Sequence, residues 1–111
     1  MNADLNALRK LSDGWDGEGA PRPSEEALQR AAAALADLQD SPFDVYDVDA
    51  DVLGGVALWL NAPGRTRFAW IAIMNSGRAT VVLTSRPGQD VRAIPWDGAA
   101  IGEMKRAAED Q

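Results

Sequence analysis

Apolar residues recur first at helical and then at strand spacing along this chain. Leu5, Leu8 and Leu11 lie three apart, a stripe that predicts a short helix over residues 2–11. Ser12, Asp13 and Gly14 stop it, and residues 12–24 hold three glycines and two prolines, which reads as a loop. Ser24 is a suitable N-cap, with Glu25 and Glu26 where they complement a helix dipole. Residues 25–39 are dominated by Ala and Leu and predict the strongest helix, with Leu28, Ala31, Ala32, Leu35 and Leu38 on one face. Ser41-Pro42 ends it.

Beyond residue 42 the period changes to two. Residues 43–48 alternate large apolar with acidic residues in part, and Gly54-Gly55 breaks the chain. Strands are expected at 56–60, 67–74 and 79–84, separated by turns at 61–64 and at Asn75-Ser76-Gly77. Arg86-Pro87-Gly88 marks a further turn, and residues 91–94 an edge strand limited by Pro95. Residues 97–109 predict a C-terminal helix capped by Asp97, with Ile101, Met104 and Ala108 on its apolar side. Strands joined by tight turns run antiparallel. The expected architecture is a single α+β domain over residues 1–111. A helical part (1–41) precedes an antiparallel meander of four to five strands (43–95) and a helix (97–109), giving two N-terminal helices and one C-terminal helix.

The strand pattern holds a conflict. Phe68, Trp70, Ala72 and Met74 alternate with Ala69, Ile71 and Ile73; Val56, Leu58 and Leu60 alternate with Ala57 and Trp59; Val81 and Leu83 alternate with Val82 and Thr84. Both sheet faces are therefore apolar near the middle, whereas an antiparallel sheet with one wet face alternates apolar with polar. Either helices cover both faces, or one face meets another chain, a partner or a second copy.

Composition narrows the chemistry. The 111 residues include no Cys and no His. That closes disulfide scaffolds, thiol nucleophiles, Ser–His and Cys–His pairs, and imidazole or thiolate metal sites. Lys10 and Lys105 show no spacing to a serine that suggests Ser–Lys catalysis, and no glycine pattern has phosphate-binding spacing. The expectation is a non-enzymatic protein without a cofactor. The N-terminus lacks a signal-peptide apolar region and no apolar run approaches a membrane span, so a cytoplasmic location is expected.

The net charge of −6 is concentrated. Residues 37–51 carry six acidic and no basic residues, whereas residues 1–36 have a net charge of −2 and residues 52–111 of +2. On an extended chain Asp47, Asp49 and Asp51 share a face. One reading is a solvated surface that discourages edge pairing. A second is a docking surface, Asp44, Asp47, Asp49 and Asp51, for a basic protein, with Trp59 and Trp70 as anchors, and a third is a carboxylate metal site. The acidic balance argues against direct nucleic-acid binding. Arg65, Arg67, Arg78, Arg86 and Arg92 cluster around strand ends and turns as outward-facing polar positions, some paired with the aspartates, a phosphate or RNA site being the alternative. Trp15, Trp59, Trp70 and Trp96 serve as core or loop anchors in one reading and as stacking surfaces in the other.

The most distinctive stretch is Asp13-Gly14-Trp15-Asp16-Gly17-Glu18-Gly19-Ala20-Pro21, followed by Pro23-Ser24. Read from its residues, it is a structural loop with Trp15 anchoring it into the core and Asp13 and Asp16 accepting bonds from its own amides. The alternatives are a carboxylate site for a hard cation from Asp13, Asp16 and Glu18, and a partner contact. Trp15, Asp16, Gly17, Gly19, Ala20, Pro23 and Ser24, then Gly54, Gly55 and Trp59, resemble small uncharacterised bacterial and phage proteins that carry a GWDG-x-G-A-x-x-P-S loop. The resemblance spans roughly residues 5–75 and supplies no catalytic residues. Those proteins look like accessory products of mobile elements, including antitoxin-like partners. Taken with the acidic stretch and the absent catalytic residues, the expectation is a small acidic inhibitor or antitoxin-like neutraliser of a protein partner, and a phage inhibitor such as an anti-CRISPR protein would use the same physics. The rival reading is a small ligand- or metal-binding domain or enzyme using carboxylates.

Overall fold

A computed structural model describes residues 2–84 and 91–109. Helix α1 (Asn2–Arg9) and helix α2 (Glu25–Gln39) precede five strands. These are β1 (Asp44–Ala50), β2 (Gly55–Ala62), β3 (Arg65–Met74), β4 (Ala79–Leu83) and β5 (Arg92–Pro95). Helix α3 (Ala100–Glu109) follows. The strands form one antiparallel sheet in chain order. The protein is α+β, with a five-stranded antiparallel sheet and three helices. The helix bounds differ from the sequence expectation: α1 ends at Arg9 and α3 begins at Ala100. Asp97 still prepares α3, because its Oδ1 accepts from the Ala99 amide and its carbonyl from the Ala100 amide. The expected turn at 86–88, and Arg86 with it, lie outside the described residues.

Helix α2 forms where Ser24 caps it: Ser24 Oγ accepts from the Ala27 amide at 3.0 Å. Its buried face is Ala27, Leu28, Ala31, Ala34, Leu35 and Leu38. Ala32 is exposed, contrary to expectation, because the stripe drifts with the 3.6-residue turn and Ala27 and Ala34 take the inward positions. Leu5 of α1 and Ala100 and Met104 of α3 join the same cluster as Val56, Leu58 and Leu60 of β2, Ala69, Ile71 and Ile73 of β3, and Val81 and Leu83 of β4. All three helices thus contribute to one core on one side of the sheet. The shortest molecular dimension, 21 Å, suits two layers, since packed layers lie about 10 Å apart.

Two departures from regular pairing reset which residues share a face. In β1, Val45 pairs with Leu60 and Asp47 with Trp59, so Tyr46 is an extra bulged residue. In β3, Arg67 has φ 53°, and the register slips between Leu60 and Ala62 of β2. This overturns the expected alternation at Phe68. Phe68 does not share the face of Trp70; it is buried in the core and stacks on Phe43 with ring centroids 5.4 Å apart. The left-handed turn at Arg67 lets Phe68 and Ala69 both be buried.

Candidate functional site

The second face of the sheet is built from alternate residues of all five strands. Each has a core neighbour pointing the other way: Leu58 beside Trp59, Ile71 beside Trp70, Val81 beside Val82. Strand pairing lines them up in rows. One row runs Asp47, Trp59, Trp70, Val82 and Ala93; the next runs Asp49, Ala57, Ala72, Thr80 and Pro95. None of these ten residues belongs to the core cluster, and no described helix contributes to their side of the sheet. Trp59, Trp70, Ala72, Thr80 and Val82 are half-buried by their neighbours and open to solvent above.

Trp59 and Trp70 stand opposite each other at the centre, with ring centroids 5.3 Å apart and planes tilted by 35°. Such a pair is favourable in itself, by about 0.5–1.5 kcal/mol, and also presents a broad apolar surface. On the β1 side the carboxylates begin. Asp47 lies directly across from Trp59, and Asp49 across from Ala57. Asp44 pairs with Asn61 on the same side, brought into phase by the extra residue Tyr46. The Asp49 carboxyl is held above the usual carboxylate range, first by partial burial and then by hydrogen bonding to and repulsion from Asp47. Neither row contains Lys or Arg.

The residues singled out in the sequence divide accordingly. Asp44, Asp47, Asp49, Trp59 and Trp70 come together on this face. Asp51 does not: the strand ends at Ala50, and Asp51 closes the β1–β2 turn, its Oδ1 accepting from the Leu53 amide and its carbonyl from the Gly54 amide. The expected shared face of Asp47, Asp49 and Asp51 therefore fails at its third member, because turn geometry captures Asp51. That turn leaves Leu53 77% and Val52 57% exposed.

The loop at 13–24 is built by its aspartates. Asp16 Oδ1 accepts from the Glu18 and Ala20 amides, each at 2.9 Å, and Asp13 Oδ1 from the Arg22 amide at 3.0 Å. The two amides hold the Asp16 carboxyl below its ordinary range. With these oxygens turned onto the backbone, Asp13, Asp16 and Glu18 form no metal cluster. Among the described residues no three acidic side chains converge to hold a metal. Trp15 is half-buried and outside the core; its indole N–H donates to the Pro21 carbonyl at 3.0 Å, closing the loop on itself. Trp15 therefore does not anchor the loop into the core, contrary to the sequence expectation.

That anchoring falls to Asn75, which the sequence marked only as a turn residue. Its Oδ1 accepts from the Ser24 amide at 2.7 Å, and its Nδ2 donates to the Arg22 carbonyl at 3.0 Å. Its carbonyl accepts from Ser24 Oγ at 2.8 Å. The β3–β4 turn thereby fixes the loop and the start of α2 together.

Of the remaining candidates, Arg65 donates to the Thr84 carbonyl at 2.7 Å and lies over the Phe68 ring at 5.5 Å. Trp96 is buried. Among the described residues, an open hollow of about 360 Å³ lies between Pro42, Phe43, Pro63, Lys105, Ala108 and Glu109, and another of about 290 Å³ between Arg30, Ala33, Asp37, Trp96, Asp97 and Gly98. Neither hollow is lined by Asp13, Asp16 or Glu18. No described helix is long and apolar enough to cross a membrane.

The fold and surface define a two-layer α+β domain with helices on one side of the sheet and a tryptophan-centred, acid-edged face on the other. No protein family, curated protein or solved structure matches the chain.

Proposed function

We propose that this chain is a small non-enzymatic binding protein that acts in the cytoplasm by docking the helix-free sheet face onto a basic protein and occluding it. The observation that carries the reading is the central Trp59–Trp70 pair flanked by Asp47 and Asp49 on a face that no described helix covers. Large aromatics surrounded by polar groups supply most of the affinity at protein interfaces. Flanking carboxylates accelerate encounter with a basic partner and disfavour acidic ones. A phage- or mobile-element-encoded inhibitor, such as an anti-CRISPR protein, and an antitoxin-like neutraliser both use this physics. Asp13 and Asp16 accept from amides of their own loop, and among the described residues no acidic cluster suited to a metal forms, which disfavours the carboxylate-enzyme reading.

The test is capture by immobilised protein from the producing cells, followed by binding and inhibition assays with the purified captured protein. The reading expects a basic protein that is retained by the wild type, lost with Trp59→Thr and Trp70→Thr, and inhibited by the purified chain. Its affinity should fall with salt, and less steeply with Asp44→Asn, Asp47→Asn and Asp49→Asn together. Affinity unchanged in the tryptophan variants overturns it.

A further inference from the structure

The helix-free face has a charge asymmetry that names the chemistry of its occupant. Its two central rows carry acidic groups at the β1 end and no cation anywhere along them. Trp59 sits between the Asp47 carboxylate on one side and the Trp70 indole on the other. Directly opposed strand residues have Cβ atoms about 4.5–5.5 Å apart. A planar cation lying over the Trp59 ring is therefore within reach of the Asp47 carboxylate. We infer that this pair receives an arginine side chain of the partner protein, its guanidinium stacked on Trp59 and paired to Asp47; the inference rests on reading this face as the docking surface.

Arginine fits better than lysine for three reasons. Its guanidinium is flat and can stack on an indole while its edge N–H groups meet a carboxylate. It is more weakly hydrated than an ammonium, so less is lost when the contact excludes water. An exposed carboxylate alone gains little from an ion pair, and the indole supplies the apolar wall that removes water from it. The chain already uses the same chemistry at another point, where Arg65 lies over Phe68. A second copy is the less suitable occupant. The chain carries a net charge of −6, and stacking two such faces brings their acid edges into one interface.

The experiment follows the indole N–H resonances of the four tryptophans by NMR, with capped Gly-Arg-Gly-Arg-Gly as the probe and matched Lys and norleucine peptides beside it. The expected result is saturable movement of the Trp59 and Trp70 signals with the Arg peptide, and binding several-fold weaker with Lys and none with norleucine. Asp47→Asn should weaken the Arg peptide about tenfold, one decade of affinity, whereas Asp51→Asn leaves it unchanged. Equal response to Arg and Lys, or an Asp47→Asn variant that binds as well as wild type, overturns the inference. So does concentration-dependent movement of Trp59 without peptide, which identifies a second copy as the occupant. If Trp59→Thr abolishes binding of the captured partner while the Arg peptide leaves Trp59 unmoved, the docking face stands and the arginine falls. If neither depends on Trp59, both fall.

Discussion

Leu58 and Trp59 are neighbours in β2 that serve opposite sides of the molecule: Leu58 is fully buried under the helices, and Trp59 is half-open on the far face beside Trp70. A one-residue step separates the core from the proposed binding surface, because strand side chains alternate. The two positions should therefore differ in what they disturb. Leu58→Ala should cost about 2–5 kcal/mol in denaturant unfolding, the range for emptying a packed core site. Trp59→Thr keeps a strand-favouring residue and should cost only about 1 kcal/mol, chiefly the lost ring pair. Equal costs would mean that Trp59 is covered.

Asn75 ties residues from distant parts of the chain, bonding Ser24 and Arg22 from the β3–β4 turn. Asn75→Ala leaves the partly buried Ser24 amide and the exposed Arg22 carbonyl without these partners. The expected loss is about 1–3 kcal/mol in unfolding free energy. Amide hydrogen exchange should speed up at Ser24 and in residues 13–23 while the centre of the sheet stays protected. Exchange unchanged in the loop would show that other contacts hold it.

Gly55 has φ 125°, and a Cβ there would collide with the Ile73 carbonyl oxygen of the neighbouring strand. Gly55→Ala therefore meets both an unfavourable backbone conformation and a backbone wall, with no flexible side chain to yield. The variant should lose more than about 3 kcal/mol, or fail to fold, when compared by thermal unfolding with the wild type.

Two carboxylates give stability opposite slopes with pH. Asp49 is raised in the folded state, so folding favours its protonated form: stability rises as pH falls through its folded pKa and is reduced above it. Asp49→Asn should raise the melting temperature at neutral pH and lessen the gain on mild acidification. Asp16 is lowered, so its contribution is present above its unfolded value and lost as pH falls through its folded pKa. Asp16→Ala should lower the melting temperature at neutral pH, with the difference shrinking in strong acid. Thermal melts of both variants across acidic to neutral pH check the two signs.

The readable parts of this fold are those fixed by local rules. Helix α2 announces itself through Ser24, Glu25 and an Ala/Leu stripe, and the meander through strands separated by short turns. The shared apolarity of both faces showed that one needed a partner or a cover, but only the position of the helices decides which face remains open. Other features depend on irregularities that a period-two pattern does not encode. The extra residue Tyr46 brings Asp44 into phase with Asp47 and Asp49, and the left-handed Arg67 sends Phe68 into the core. Asp51 looked like one more member of an acidic strand, yet its side chain accepts from an amide two residues on and makes a turn. Asn75 was visible as a turn residue, but its bond to Ser24 spans 51 positions and leaves no local trace.

The most direct test of the docking face is its accessibility in the free and bound states. Tryptophan can be replaced biosynthetically by 5-fluorotryptophan, and the fluorine signals of Trp15, Trp59, Trp70 and Trp96 assigned by single Phe substitutions. A soluble nitroxide then reports which rings meet solvent. In the free protein Trp59 and Trp70 should broaden and buried Trp96 should not. With the captured partner bound, Trp59 and Trp70 should become protected while Trp15 and Trp96 stay as they were. Trp59 and Trp70 remaining open to the nitroxide in the complex would contradict the account.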